Sequence, residues 1–275
     1  MVKYRLVLLD LDGTLLNSCK EISRRNREIL EAVLNKGMNV TIITGRSYVA
    51  ACDYVHQLGI KTLVVFQNGA LIYDFGRKQA VHISLLEGRK ALQIIRIGKS
   101  RGMYPVLYEN FFEVPDMVVD KFYSGPYARY FEMNRWRVKM VESLEDYTAG
   151  LEHVAEVALV GEEKGFDSLE GLNDGISVVK NSVLGGHAFV EFFGPNSSKA
   201  HALQVLLKYF GVGEDETVFI GDNLNDISLM KRVGLPVAMG NAVEDVKKMA
   251  RYVTTTNDED GVAYALERVL RGEWI

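Results

Sequence analysis

Cysteine is scarce in this sequence. Cys19 and Cys52 are the only two in 275 residues, and they match neither a metal-ligand spacing nor a disulfide framework. That scarcity points to a reducing interior compartment. A basic surplus is also missing: 32 Lys and Arg stand against 36 Asp and Glu, a formal net charge of -4. Non-specific nucleic-acid binding draws on excess positive charge, so that class is disfavoured. No apolar run approaches membrane length, and Leu6 to Leu9 is far too short for a signal-peptide core. There is no internal repeat, low-complexity tract or flexible linker. The chain is expected to be cytoplasmic, with no nucleic acid, no membrane and no obligate protein partner.

What is present suffices for a sizeable core, since 48% of residues are hydrophobic. Tyr4 to Leu9 reads as a strand buried on both faces. Ser23 to Leu34 reads as a helix with Ser23 as N-cap and Gly37 as terminator. A strand at Met38 to Ile43, a helix at Tyr48 to Leu58 and a strand at Thr62 to Phe66 follow. This alternation predicts an α/β fold with a doubly wound parallel sheet. From about His82 to Gly186 the pattern changes to a mixed, aromatic-rich α+β unit, with strands at Val154 to Val160 and Ile176 to Val179 and a short helix between them. Its aromatics read as packed core. The first pattern then returns: a helix at Ser198 to Phe210, a strand at Thr217 to Ile220, a helix at Asn225 to Val233, a strand near Val237 and a helix at Val262 to Leu270. Residues 1–81 and 191–275 are therefore expected to form a discontinuous core domain, with 82–190 inserted as a cap.

Three apolar strands end on reactive residues. They run into Asp10-Leu11-Asp12-Gly13-Thr14, into Thr44-Gly45-Arg46, and into Gly221-Asp222-Asn223-Leu224-Asn225-Asp226. In a parallel sheet all three clusters meet at one edge, where such folds bind ligands. Lys199 near a helix start adds a cation. A calcium loop opening at Asp10 is disfavoured, because Leu15 stands where that loop needs glycine and a strand precedes Asp10. Asp10 and Asp222 close together are costly unless a cation lies between them, and oxygen ligands of this kind suit Mg²⁺. Arg46 is a candidate for substrate contact or for an ion pair. Asn68 and Gly69 read as a structural turn, and the histidines, His187 and His201 among them, as surface or satisfied groups.

These motifs resemble the haloacid-dehalogenase-like hydrolase superfamily and, within it, the Cof-type phosphatases. Besides the clusters above, Gln67-Asn68-Gly69-Ala70, Val237-Ala238-Met239-Gly240-Asn241-Ala242 and Asn257-Asp258-Glu259-Asp260-Gly261-Val262 carry the likeness. One departure is Ala200-His201 after Lys199, where the family usually has glycine. The resemblance implies a Rossmann-like core, Asp10 as nucleophile and Asp12 as general acid and base. It implies Mg²⁺ held by the Asp10 side chain, the Asp12 carbonyl and Asp222, with Asp226 orienting metal-bound water. Thr44, Lys199, Asn225 and the N–H groups of Leu11 and Gly45 would cradle phosphate.

The insert follows the third strand, as in Cof-type and sucrose phosphatases and in phosphomannomutases. Its two crossings, near Tyr73 to Val81 and Val190 to Pro195, are expected to act as hinges. Asp12 argues against a true dehalogenase. The leading expectation is a phosphatase of small phosphorylated metabolites, sugar phosphates favoured. A phosphomutase of the phosphomannomutase type and a non-catalytic phosphometabolite sensor are the alternatives.

Overall fold

The computed structural model describes residues 3–166 and 175–275. The chain divides into two compact units. One comprises Met1–Arg46, Ala51–Val81 and Ser198–Ile275, the other Ser47–Ala50 and His82–Ser197.

The first unit is built on a five-stranded parallel sheet. Its order is Tyr252–Val253, Leu235–Ala238, Thr217–Gly221, Leu6–Leu9 and Asn39–Ile42. All four residues of Leu6–Leu9 are fully buried, because strands lie on both sides of them. Leu6 to Leu9 stand in register with Thr217 to Ile220 on one side and Asn39 to Ile42 on the other. A strand with two neighbours and two covered faces has no polar position, which is why it reads as an unbroken apolar run. The chain leaves the first strand toward one edge and later returns on its other side. That reversal opens a crevice at the carboxyl ends of Leu6–Leu9 and Thr217–Gly221. The Asp10 N–H still donates to the Ile220 carbonyl at 3.1 Å, so the two chains run together up to the crevice.

Helix Arg24–Asn35 begins as its sequence predicts, with the Ser23 hydroxyl accepting from the Asn26 N–H. Helix Lys199–Phe210 begins the same way, the Ser198 hydroxyl accepting from His201 N–H at 3.0 Å. The missing glycine after Lys199 therefore does not disturb its first turn. The helix expected over Asn225 to Val233 is shorter: a 3-10 turn, Leu224–Asp226, leads into Ile227–Met230.

Leu63–Phe66 differs from its expected place as a full third strand of the parallel sheet. It meets that sheet through the bridge Ile43 to Val65 and the Thr41 hydroxyl donating to the Leu63 carbonyl, and makes its ladder with Leu71–Asp74, antiparallel. The cause is the tight Gln67–Gly69 turn, which folds the following chain straight back.

The second unit has a six-stranded sheet ordered Ser177–Leu184, His187–Phe193, Glu156–Glu162, Tyr104–Tyr108, Met117–Val119 and Val138–Met140. His187–Phe193 is an interior strand there, so residues 191–197, expected in the core domain, belong to this unit. Helix Gly88–Ser100, not foreseen from the sequence, buries Ala91, Ile94 and Ile95 against Leu107, Val157, Leu159 and Phe192. Tyr127 and Phe131 are buried and pack on Phe189 as expected of core aromatics, while Tyr130 touches Phe189 from an exposed position. Phe112 and Phe122 do not: they are 44% and 63% exposed. Of the short helix expected between the two strands, one 3-10 turn, Glu163–Phe166, is present, and the rest lies outside the described residues.

Gly69 joins the turn to the helix that carries Lys199. Its φ is 105°, and a Cβ there would stand 2.7 Å from the Ser198 carbonyl oxygen. Replacement by alanine adds backbone strain and a clash with a helix N-cap, together about 2 kcal/mol. Urea unfolding of Gly69→Ala should show that loss; unchanged stability would mean the contact is not rigid.

Candidate active site

Asp10 follows the Leu6–Leu9 strand into the crevice. It is 6% exposed, and its Oδ1 accepts from Lys199 Nζ at 2.6 Å. Its Oδ2 takes no hydrogen bond among the described residues. The same ammonium donates to Asp226 Oδ1, also at 2.6 Å. Asp226 Oδ2 is engaged by the N–H groups of Asp222 and Asn223 at 2.9 and 3.1 Å. Asp226 is thus held on both oxygens and shapes the loop that presents Asp222. Asp222 Oδ1 accepts from the Thr14 hydroxyl at 3.1 Å. Gly13, with φ 72°, lies against this carboxylate; a Cβ there would come within 2.2 Å of Asp222 Oδ2. Only glycine allows that approach.

One ligand atom each from Asp10, Asp222 and Asp226 lies within 4.8 Å of the other two. Lys199 is the only cation bonded inside this cluster among the described residues, so negative charge is in excess. Burial pushes the Asp10 carboxyl up to about 7, with Asp226 adding to the rise and Lys199 opposing it. Asp222 is also raised, by burial and by the charges of Asp10 and Asp226. Burial disfavours the charge on Lys199, but Asp10 and Asp226 outweigh it and hold the ammonium protonated. Asp10 and Asp222, both pushed toward the neutral form, stand with Asp226 as hard oxygen donors close together, and that set fits a divalent cation.

Asp12 is set apart from this cluster. Arg46 grips it with Nε on Oδ2 at 2.5 Å and Nη2 on Oδ1 at 2.7 Å, and Lys20 Nζ reaches Oδ1 at 2.7 Å. Burial raises its pKa, but the Arg46 hydrogen bonds and charge, then Lys20, bring it down to about 2. Arg46 therefore sits in an ion pair with Asp12.

The remaining predicted residues line the same crevice. Thr44 is buried, its hydroxyl accepting from Arg46 N–H at 3.1 Å. Leu11 is buried, its carbonyl accepting from the Thr14 and Leu16 N–H groups. Asn225 Nδ2 donates to Asn68 Oδ1 at 2.9 Å, and Gly45 lies close by, where a Cβ would stand 3.2 Å from Asn68 Nδ2. Asn68 is in the left-handed region, φ 52°, as a turn residue, yet it also belongs to the site. Asn68 and Lys20 are residues that sequence reasoning did not place there. The Asn68-Gly69 pair was a usable signal, since asparagine tolerates that backbone; Lys20 had none.

The sequence model of haloacid dehalogenase-like hydrolases matches residues 7–266. The chain belongs to that family. It is 30% identical to phosphatase YwpJ of Bacillus subtilis, over 97% of this chain and all of that one. It is 31% identical to 5-amino-6-(5-phospho-D-ribitylamino)uracil phosphatase YitU of the same organism, over 96% and 97% of the two chains. Among solved structures, a haloacid dehalogenase-like hydrolase from Bacteroides thetaiotaomicron aligns with a TM-score of 0.77 at 30% identity, covering 97% and 99%. The family, the phosphatase names of these relatives and the acidic cluster agree: this hydrolase is a phosphatase with a site suited to a divalent metal. Among the described residues no helix is long and apolar enough to cross a membrane.

The burial of Asp10 has a consequence for stability. An Asp10 carboxyl raised from 3.8 to about 7 on folding binds more protons in the folded state across that interval. Stability from this group is present below pH 3.8 and falls as pH rises toward 7. In chelator, the Tm of the wild type should therefore drop relative to that of Asp10→Asn between about pH 4 and 7, and a divalent cation should restore it. Parallel pH profiles for the two proteins would contradict this.

Proposed function

We propose that this phosphatase is Mg²⁺-dependent, acts on small phosphomonoesters with sugar phosphates favoured, and carries the phosphoryl group on Asp10. The observation behind this reading is the Asp10, Asp222 and Asp226 cluster with Lys199 bonded to two of its members. The Asp10 and Asp222 side chains and the Asp12 carbonyl would hold Mg²⁺, with Asp226 orienting water on it. The ion supplies charge neutralisation between nucleophile and phosphate.

In the first step an Asp10 oxygen bonds to phosphorus as the phosphorus–ester-oxygen bond breaks. Asp12 gives its proton to the departing oxygen, and an alcohol leaves. In the second step water attacks the same phosphorus, Asp12 takes the water's proton, and inorganic phosphate departs from Asp10. Asp12 is held ionised at rest, at about 2. A dianionic phosphoryl group beside it raises its affinity for the proton that the first step needs. Thr44, Lys199, Asn225 and the N–H groups of Leu11 and Gly45 would bind the non-bridging oxygens. The name of the YitU relative supports a small phosphomonoester, because a phosphoribityl compound is a phosphate ester of a sugar alcohol.

Asp10→Asn should lose turnover of para-nitrophenyl phosphate by at least about 10⁴-fold with an unchanged circular dichroism spectrum. Near-wild-type turnover would remove Asp10 as nucleophile. Chelation should abolish activity, Mg²⁺ should restore it and Ca²⁺ should inhibit, since Ca²⁺ takes more ligands in looser geometry. Activity that survives exhaustive chelation would contradict the metal assignment. With a hexose phosphate the product should be free phosphate; an isomeric phosphate ester would instead identify a mutase.

A further inference from the structure

Lys20 sits on Asp12 in an arrangement that fold stability does not explain. Its φ is 62°, a left-handed backbone that glycine or asparagine adopts more readily than lysine. The turn that holds it is closed on several sides. Lys20 N–H donates to the Asn17 carbonyl at 2.9 Å, and Asn17 N–H donates to the Glu21 carbonyl at 3.0 Å. The Asn17 side chain accepts from the Cys19 and Glu21 N–H groups. Ser18 donates its N–H and hydroxyl to Asp258 at 2.7 and 2.6 Å. Finally the Tyr54 hydroxyl donates to the Lys20 carbonyl at 3.0 Å, while the Tyr54 ring lies 5.2 Å from the Arg46 guanidinium carbon. Tyr54 thus supports both cations that hold Asp12.

The ion pair itself adds little to folding, since the side chains of Lys20 and Asp12 are 42% and 41% exposed. A turn alone would be served better by glycine at this position. What lysine adds is a third donor on one carboxylate. Arg46 Nη2 and Lys20 Nζ both take Oδ1, whereas Oδ2 has only Arg46 Nε. The two oxygens are therefore unequal. Oδ1 is filled from two directions and cannot turn toward a ligand without losing a donor, while Oδ2 keeps a lone pair open among the described residues.

We propose that Lys20 is a positioning residue for the phosphatase reaction: anchored by its left-handed turn and by Tyr54, it pins Oδ1 of Asp12 and so leaves Oδ2 as the oxygen that faces the leaving group. Lys20 bonds to the Asp12 carboxylate and, among the described residues, to neither the Asp10 nor the Asp222 side chain. It acts through Asp12. This inference rests on the assignment of Asp12 as acid and base made above.

The test compares an alkyl phosphate, glycerol phosphate, with an aryl one, para-nitrophenyl phosphate, in the presence of Mg²⁺. The aryl leaving group departs without a proton, the alkyl one does not. Lys20→Met and Lys20→Gly should lower kcat/KM for glycerol phosphate by roughly 10- to 100-fold, while kcat/KM for the aryl ester stays within a few-fold. The fall should lie in kcat, not in KM. Lys20→Gly should keep or raise the Tm, because it relieves the backbone, and that separates positioning from folding. Lys20→Arg should recover most of the alkyl activity, and Tyr54→Phe should show a weaker version of the same selectivity. Equal losses for the two esters, a loss confined to KM, or no loss in a folded Lys20→Met would each overturn the proposal. Wild-type turnover of the aryl ester reports on the underlying function separately. If it is present and Lys20→Met equals the wild type, only the positioning role falls; if it is absent, both fall.

Discussion

The ammonium of Lys199, buried between Asp10 and Asp226, is the interaction on which the site depends. A lysine is seldom taken fully out of water, and here its side chain has no exposure at all. Two carboxylates at 2.6 Å hold it charged, and it in turn lets those carboxylates approach each other. Yet one positive charge does not balance three negative ones. Asp222 stands in the same cluster with, among the described residues, only the Thr14 hydroxyl as its side-chain donor. The remaining imbalance makes the cluster receptive to a hard divalent cation, while burial, with Asp226 adding to it and Lys199 opposing, lifts Asp10 to about 7.

The sheet delivers these groups to one place with few free parameters. Leu6–Leu9 and Thr217–Gly221 are adjacent and in register, so the residues that follow them, Asp10 and Asp222, emerge side by side. Asp226 then acts as a brace, since its second oxygen collects the N–H groups at the start of its own turn. A separate brace ties the loop after Asp12 to the far end of the chain. Asn241 donates to the Gly13 carbonyl, Asn257 to that of Leu16, and Asp258 receives both donors of Ser18. The acidic cluster and Asp12 are therefore held by different sets of contacts.

Much of this was legible in the sequence for a definite reason. Strands buried on both faces admit no polar residue, so the charged residues at their ends, Asp10 and Asp222, stand out against the run. Ser23 and Ser198 announced their helices through capping chemistry that is local and needs no tertiary context. The reading ran out where long-range contacts decide. Nothing near Leu63–Phe66 says that it pairs with Leu71–Asp74 more fully than with Asn39–Ile42; the tight turn at Gln67 and Asn68 settles it. Lys20 looked like any lysine in a polar loop until its turn and Tyr54 were in view. Phe112 and Phe122 show the converse, large aromatics that read as core and stand exposed.

The central claim is that Asp10, held by Lys199 among acidic neighbours, carries the phosphoryl group. It is tested most directly by trapping that group. Asp12→Asn removes the base that hydrolysis needs, while an aryl phosphate can still transfer to Asp10 without acid assistance. Incubated with para-nitrophenyl phosphate and Mg²⁺, quenched in acid and digested, this variant should yield one peptide heavier by a single phosphoryl group, with the modification on Asp10. A folded variant that releases nitrophenol but shows no phosphorylated peptide, or one labelled at another residue, would contradict the account.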